Sequence, residues 1–409
     1  MNGAGRLGIS GEGQRLLAAK AVRTFGFGWL SVVLALFLAK RGLTATEIGF
    51  VFTATMVEDA LLTMLLSAVA GRVGPVRVML FTAPLIAVGG VLLAASNDKW
   101  LLLLGAVLGT LSPTGQEAGP FTAMEQALLP GTVRSGSTAR VFGWYNVFGF
   151  LPAGLGALAS GLCVHAALVA GVEELLAYRL MFWVYAALGV GLTLIYLELE
   201  RSGTPGVAAE RAETRRFGLG PSRGVVLQLA TLQGLDAFAG GFTMQSLLVY
   251  WFHLRFGAGA DAVGWLFFGT NLLSAVSFLA ASRLAERFGL LNTMVFTHLP
   301  SNVLLCLVPL MPTFPSAGLV LLMRHLLSQM DVPTRQAYTM ALVAPEERPA
   351  AAGFTGSVRA LAQALAPFAS GAVMTTAASA TPFFVSGGLK IVYDIGLYFR
   401  FRKVRLGGD

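Results

Sequence analysis

The sequence predicts an all-α membrane protein of about twelve transmembrane helices, arranged as two pseudo-symmetric six-helix bundles. Three observations carry that expectation. The 409 residues are 55% hydrophobic and only 12% charged, with a mean hydropathy of +0.71. Soluble domains carry roughly 25% charged residues, so this chain is too poor in charge to cover a water-facing surface. Apolar stretches of roughly 20 residues, the length that spans a bilayer, recur from one end to the other. The second half also repeats the first in register.

In chain order the stretches fall at 19–38, 48–70, 77–96, 100–123, 141–162 and 178–198, then at 225–252, 262–282, 291–312, 316–343, 350–374 and 381–400. The first follows Arg15, Lys20 and Arg23 in the manner of a signal peptide. It ends in Ala39-Lys40-Arg41 without a small-residue cleavage site, so it reads as a retained helix. A polar segment rich in Arg, Glu and Gly separates the two sets. The expected organisation is a six-helix half at 1–199, a cytoplasmic linker at 200–223 and a second half at 224–409. Basic residues set the orientation. With both termini cytoplasmic, that side receives Arg15, Lys20, Arg23, Arg72, Arg77, Arg134, Arg140, Arg201, Arg283, Arg287, Arg402 and Lys403, and the opposite side only a few. The formal charge of +8 is accounted for in this way, and no aromatic-interleaved basic patch points to nucleic acid.

The repeat is explicit. Phe37 to Phe52 aligns without gaps on Phe252 to Phe267, pairing Phe37, Gly42, Ala45, Gly49 and Phe52 with Phe252, Gly257, Ala260, Gly264 and Phe267. The same register sets Ser67 to Gly74 opposite Ser282 to Gly289. Parallel repeats of this kind are one of the standard architectures of secondary transporters. The second of these loops, Ser282-Arg283-Leu284-Ala285-Glu286-Arg287-Phe288-Gly289, resembles the Gly-x-x-x-Asp-Arg-x-Gly signature of the major facilitator superfamily, with Glu286 as the acid. The first copy keeps Arg72, Gly74 and Arg77 but has Gly71 where the acid belongs. Gly149, Pro152, Gly154 and Gly156 in the fifth stretch are similar to the Pro/Gly-rich signature of that family's proton-coupled exporters. The resemblance implies a major facilitator fold, alternating access, and a cavity lined by helices 1, 4, 7 and 10.

An ionisable side chain at the bilayer centre costs at least roughly 2.5–3.5 kcal/mol and survives where it pairs or faces a polar cavity. Glu58 and Asp59 lie near the middle of helix 2, as coupling acids or as structural ion-pair partners. Thr114, Gln116 and Glu117 sit between Pro113 and Pro120, where an interrupted helix exposes backbone polar groups. Gln233 and Asp236 mark helix 7 and Asn271 helix 8. Arg324, Ser328, Asp331 and Arg335 fall at spacings of 4, 3 and 4, on one face of helix 10. There Asp331 is expected to pair with Arg335 and to leave Arg324 deeper. Arg359 in helix 11 is expected to meet Glu58 or Asp59, and Lys390 to pair locally with Asp394. Arg72, Arg77, Glu286, Arg287, Arg335 and Arg359 are the gating candidates.

Cys163 and Cys306 have no metal-ligand spacing, and His165, His253, His298 and His325 form no HExxH, so neither metal nor cofactor is expected. His298 reads as a packing residue. The absence of a GxxxxGK[ST] loop excludes ATP as the direct energy source, and no HxxxxD pair suggests an acyl-transfer enzyme. The expected function is alternating-access transport of a small molecule, as proton-coupled efflux of amphipathic or cationic compounds. The alternatives are an organic-anion or metabolite transporter using Arg324, Arg335 and Arg359, and a non-transporting membrane sensor. The expected partners are protons, substrate and lipid, for a monomer in the bacterial cytoplasmic membrane.

Overall fold

Ser10 starts the first helix. Its Oγ accepts the Gly13 amide at 3.2 Å, which satisfies one of the donors a helix N-terminus leaves open. Helix α1 then runs Gly11–Lys40 and is buried along most of its length. The computed structural model describes residues 9–109, 112–115, 120–133, 138–202, 220, 222–343, 347–374 and 380–404. After α1 come α2 (Ala45–Val73), α3 (Pro75–Ala95), α4 (Lys99–Leu108), α5 (Pro120–Leu128), α6 (Thr138–Val169) and α7 (Glu174–Arg201). The second series is α8 (Arg223–Gly241), α9 (Gln245–Phe256), α10 (Ala260–Phe288), α11 (Leu290–Leu307), α12 (Phe314–Ser328), α13 (Asp331–Ala341), α14 (Arg348–Val373) and α15 (Thr381–Phe401). There is no β-strand among the described residues.

Eight spans among the described residues are long and apolar enough to cross a membrane: α1, α2, α3, α6, α7, α8 with α9, α10 and α11. The other four traverses of the twelve-helix architecture are the broken pairs α4–α5 and α12–α13 and the charge-bearing helices α14 and α15. Each interruption has a local cause. Pro120 opens α5 at the first helical position, where its missing N–H costs nothing. In α13, Pro333 cannot donate back to Gln329, and the chain pauses between Ser328 and Asp331. Gln329 and Met330 keep right-handed backbone angles there, so the polar face read across helix 10 continues in two pieces. Helix 7 divides after Gly240-Gly241, and Met244 adopts an extended conformation before α9.

The helices form two compact units. Unit 1 comprises Met1–Gly42, Ala54–Thr214 and Gly259–Phe268. Unit 2 comprises Leu43–Thr53, Arg215–Ala258 and Gly269–Asp409. The start of α2 is thus part of unit 2 and the start of α10 part of unit 1. Glycines make both packings possible. In unit 2 a Cβ on Gly49 would lie 2.3 Å from the Pro367 carbonyl oxygen, and one on Gly371 would lie 2.3 Å from that of Ala45. In unit 1 a Cβ on Gly264 would lie 2.8 Å from the Ala157 oxygen, and one on Gly161 would lie 2.3 Å from that of Ala260. Gly49 and Gly264, and Ala45 and Ala260, are partners in the sequence repeat, so the repeat is a repeat of close helix contacts.

The turns repeat as well. Gly42 and Gly257 end the helices before the exchanged segments at φ of 80° and 63°. Gly74 and Gly289 close the signature loops at 96° and 83°. A side chain is strained in that left-handed region, which accounts for glycine at all four positions.

Within unit 1 the Pro/Gly-rich stretch of α6 serves packing. A Cβ on Gly156 would lie 2.0 Å from the Phe25 oxygen, and one on Gly28 would lie 1.8 Å from that of Ala153. Helices α1 and α6 touch backbone to backbone. In unit 2, Leu229, Met294, Val295, Tyr338, Tyr393, Leu397 and Phe401 form a buried apolar cluster, beside which the charged side chains gather.

Candidate functional site

Unit 2 contains a buried charge network centred on Asp236 of α8, which is 3% exposed. Lys390 of α15 donates to its Oδ1 at 2.6 Å, and Arg359 of α14 and Arg335 of α13 reach its Oδ2 at 3.1 and 3.4 Å. Lys390 and Arg359 also donate to backbone oxygens of α8, at Asp236 and Gln233. Arg335 forms a second ion pair with Asp331, one turn earlier on α13. On the far side of Asp236, His298 of α11 approaches Oδ1 at 3.9 Å. Its other ring nitrogen lies 2.8 Å from Asp394, whose second oxygen accepts from Asn302 at 2.9 Å. Five helices are therefore held through one carboxylate and its partners. A buried ion is tolerated only when paired and hydrogen-bonded, and Asp236 meets that condition.

Arg324 does not. Its guanidinium is half-buried on α12, its Nε is shielded from solvent, and it makes no hydrogen bond or ion pair among the described residues. It lies close enough to Asp236 and Asp331 to feel both carboxylates. Ser328, one turn along the same face, is buried.

Unit 1 has a closed network of its own. Arg23 of α1 grips Glu125 of α5 with both terminal nitrogens, at 2.5 and 2.8 Å. Tyr196 of α7 and Tyr145 of α6 donate to the two oxygens of the same carboxylate at 2.8 and 2.9 Å. The Lys20 ammonium lies 3.0 Å from the centre of the Tyr145 ring, a cation–π contact. By contrast, Glu58 and Asp59 of α2 have no hydrogen-bond or ion-pair partner among the described residues. Asp59 is 5% exposed, and neither of its oxygens has a hydrogen-bond partner, nor does the buried Oε2 of Glu58. Tyr185 is near enough to feel the Asp59 charge, but its hydroxyl donates to the Gly109 carbonyl at 3.2 Å.

Two bundles of broken and continuous helices, each with buried charge, match what is known of other chains. Residues 16–255 match the family model of the Major Facilitator Superfamily. The chain belongs to that superfamily. It is an integral membrane transporter of the facilitator type rather than an enzyme. It is 25% identical over 419 residues to an uncharacterized membrane protein of Saccharomyces cerevisiae, covering 95% of this chain and 94% of that one. Its fold is similar to the crystal structure of the nucleoside transporter NupG, with a TM-score of 0.74, 13% identity and coverage of 97% and 100%. It is equally similar to a bacterial homolog of the human lysosomal transporter Spinster, with a TM-score of 0.74, 14% identity and coverage of 96% and 97%. The human organic anion transporter MFSD10 gives a TM-score of 0.65 at 17% identity, with coverage of 95% and 100%.

The facilitator fold brings some of the residues singled out in the sequence together and not others. Asp236, Asp331, Arg335 and Arg359 converge, and Gln233 lies beside them, donating to Thr339 at 3.1 Å. Arg359 of α14 reaches Asp236 of α8 within unit 2. Lys390 likewise goes to Asp236, and Asp394 to His298 and Asn302, in place of a local pair. Thr114 shares a hydrogen bond with Ser112 at 2.8 Å, and Asn271 is buried on α10. Gln116 and Glu117 lie outside the described residues. Arg77 reaches Glu200 at 2.7 Å on the surface, while Arg72, Glu286 and Arg287 are exposed.

Sequence reasoning missed the Arg23–Glu125 network. Their place in the basic flank ahead of the first apolar stretch suggests exposed residues, yet Lys20 and Arg23 are 1% and 2% exposed inside α1. Helix α1 begins at Gly11 rather than at residue 19, which draws both cations into the bundle. Glu125 falls just past the expected end of the fourth span because that span is broken. The available signal was the spacing of Lys20 and Arg23, one turn apart on one face of an otherwise apolar helix.

Proposed function

We propose that this facilitator is a proton-coupled secondary transporter in which Asp59, with Glu58 beside it, takes up and releases the coupling proton. The observation that carries the reading is the burial of Asp59 with both carboxylate oxygens unpartnered among the described residues. An ionised carboxylate left so costs several kcal/mol, and binding a proton removes that cost. Such a group is at ease buried when neutral and when wetted as an anion, and alternating access supplies both conditions in turn. Asp236 is unsuited to this work, because three basic side chains already hold its charge.

That difference also bears on the substrate. Efflux of cationic compounds was favoured by carboxylates in helices 2, 4 and 7, and the helix 7 acid is committed to Lys390, Arg335 and Arg359. The charge left open in unit 2 is a cation. The exposed basic residues Arg72, Arg77, Arg201, Arg283, Arg287, Arg402 and Lys403 support an orientation with both termini in the cytoplasm.

The test is uptake into proteoliposomes under an imposed pH gradient, with a panel of lipophilic cations and organic anions. A gradient of 100 mV supplies about 2.3 kcal/mol per charge. We expect at least one compound to accumulate with the gradient and to be released by a protonophore. Movement that ignores the gradient for every compound carried would overturn proton coupling.

A further inference from the structure

The buried charges of unit 2 do not balance. Arg324, Arg335, Arg359 and Lys390 lie among three carboxylates, those of Asp236, Asp331 and Asp394. Leaving His298 out of the count, one of these cations is left over among the described residues. The geometry shows which it is. Lys390, Arg335 and Arg359 each bond a carboxylate directly, whereas Arg324 bonds none among the described residues.

We infer that Arg324 is the recognition point for an organic monoanion, a carboxylate or sulfonate on an otherwise apolar body. Its fork of parallel N–H donors fits a planar two-oxygen acid, and the Ser328 hydroxyl one turn away offers a further hydrogen bond. A ligand with a single negative charge would pair with Arg324, the cation of this set that bonds no carboxylate among the described residues. On the same face of α12, Leu321 and Leu327 stand one turn to either side of Arg324, and the adjacent His325 turns its Nδ1 to the Leu321 carbonyl at 2.8 Å. An inorganic anion would gain the guanidinium and little else, while an organic acid would also bury apolar surface, at about 25 cal/mol per Å². The closed Asp236 network holds the neighbouring helices in place, so that Arg324 is presented without having to be released from a protein partner first.

This inference deepens the transport reading and rests on it, but its test needs no gradient. Purified protein in nanodiscs is titrated with benzoate and octanesulfonate, with sodium chloride and tetraphenylphosphonium as controls, and its Tm is followed. We expect both organic anions to raise the Tm saturably, and neither chloride nor the lipophilic cation to do so. Arg324→Gln should weaken the apparent Kd for both anions at least about tenfold, a loss of 1.4 kcal/mol, and Arg324→Lys should give an intermediate value. Because Arg324 has no hydrogen bond to lose among the described residues, Arg324→Gln should fold, and Arg324→Lys carries the comparison if it does not. Unchanged anion affinity in Arg324→Gln, stabilisation by tetraphenylphosphonium alone, or no saturable shift with either anion would overturn the proposal. Gradient-driven transport of a cation without anion binding would remove the anion site and leave proton coupling standing.

Discussion

The two units solve the same problem of buried charge with opposite leftovers. Each has one closed network: Arg23–Glu125 with two tyrosines in unit 1, and Asp236 with Lys390, Arg335 and Arg359 in unit 2. Each also has charge that no described residue answers. In unit 1 it is acidic, Glu58 and Asp59, and in unit 2 it is basic, Arg324. Closed networks join helices and lose stability if a member is removed. Open charges gain little for the fold, and that makes them suited to ligands that come and go.

The largest expected effect tests the closed half of this contrast. Asp236→Ala strips three cations of a shared acceptor and leaves them buried. Breaking a buried pair from one side typically costs about 3–5 kcal/mol, so we expect a loss of that order in thermal or denaturant unfolding of the purified protein. Asp59→Asn, at a site equally buried, should leave unfolding unchanged within about 0.5 kcal/mol or raise stability. Equal losses at both positions would erase the distinction between closed and open charge.

A middle-sized effect concerns the frame on which both kinds of charge sit. Gly156→Val would place side-chain carbon where the Phe25 oxygen lies and push α6 off α1. Overpacking of this kind costs about 1–3 kcal/mol, and α1 also bears Arg23. We expect a lowered Tm in thermal unfolding of the purified protein.

The smallest effect lies at the surface of unit 2. Glu347 accepts from the Gly220 and Ser222 amides at 2.5 and 3.1 Å, and its hydrogen bond with Ser222 holds its carboxyl below the ordinary value of 4.5. A lowered folded-state value means that the contact contributes above the ordinary value and is lost as pH falls through the lowered one. We expect amide exchange at Gly220 and Ser222, corrected for intrinsic rate, to stay slow at neutral pH, to quicken as pH falls below the ordinary 4.5 through the lowered value, and to be fast throughout in Glu347→Gln.

Much of the frame was legible in the sequence because the repeat is written in residues with unambiguous duties. Gly42 and Gly257 turn the chain in the left-handed region, and Gly49 and Gly264 admit a neighbouring backbone. These needs leave only glycine, so the same letters recur in both halves. The exporter-like Pro/Gly stretch was visible too, but its observed work is the α1–α6 contact. The charge networks were far less legible. Helical spacing identifies residues on one face, as for Asp331 and Arg335, but says nothing of partners 92 to 154 residues away such as Asn302–Asp394 and Asp236–Lys390. Local pairing was therefore expected for Lys390 and Asp394, and the fold satisfied both elsewhere. The unpartnered state of Asp59 was equally out of reach, since it depends on where the one proton of Tyr185 goes.

The central claim is that an open acid does the coupling while a closed one holds the fold. Proteoliposomes containing Asp59→Asn, loaded with a compound the wild type carries, test it in one assay by comparing exchange at equal pH with uptake under a pH gradient. We expect exchange to continue at close to the wild-type rate and gradient-driven accumulation to disappear. Accumulation that persists in Asp59→Asn would contradict the assignment.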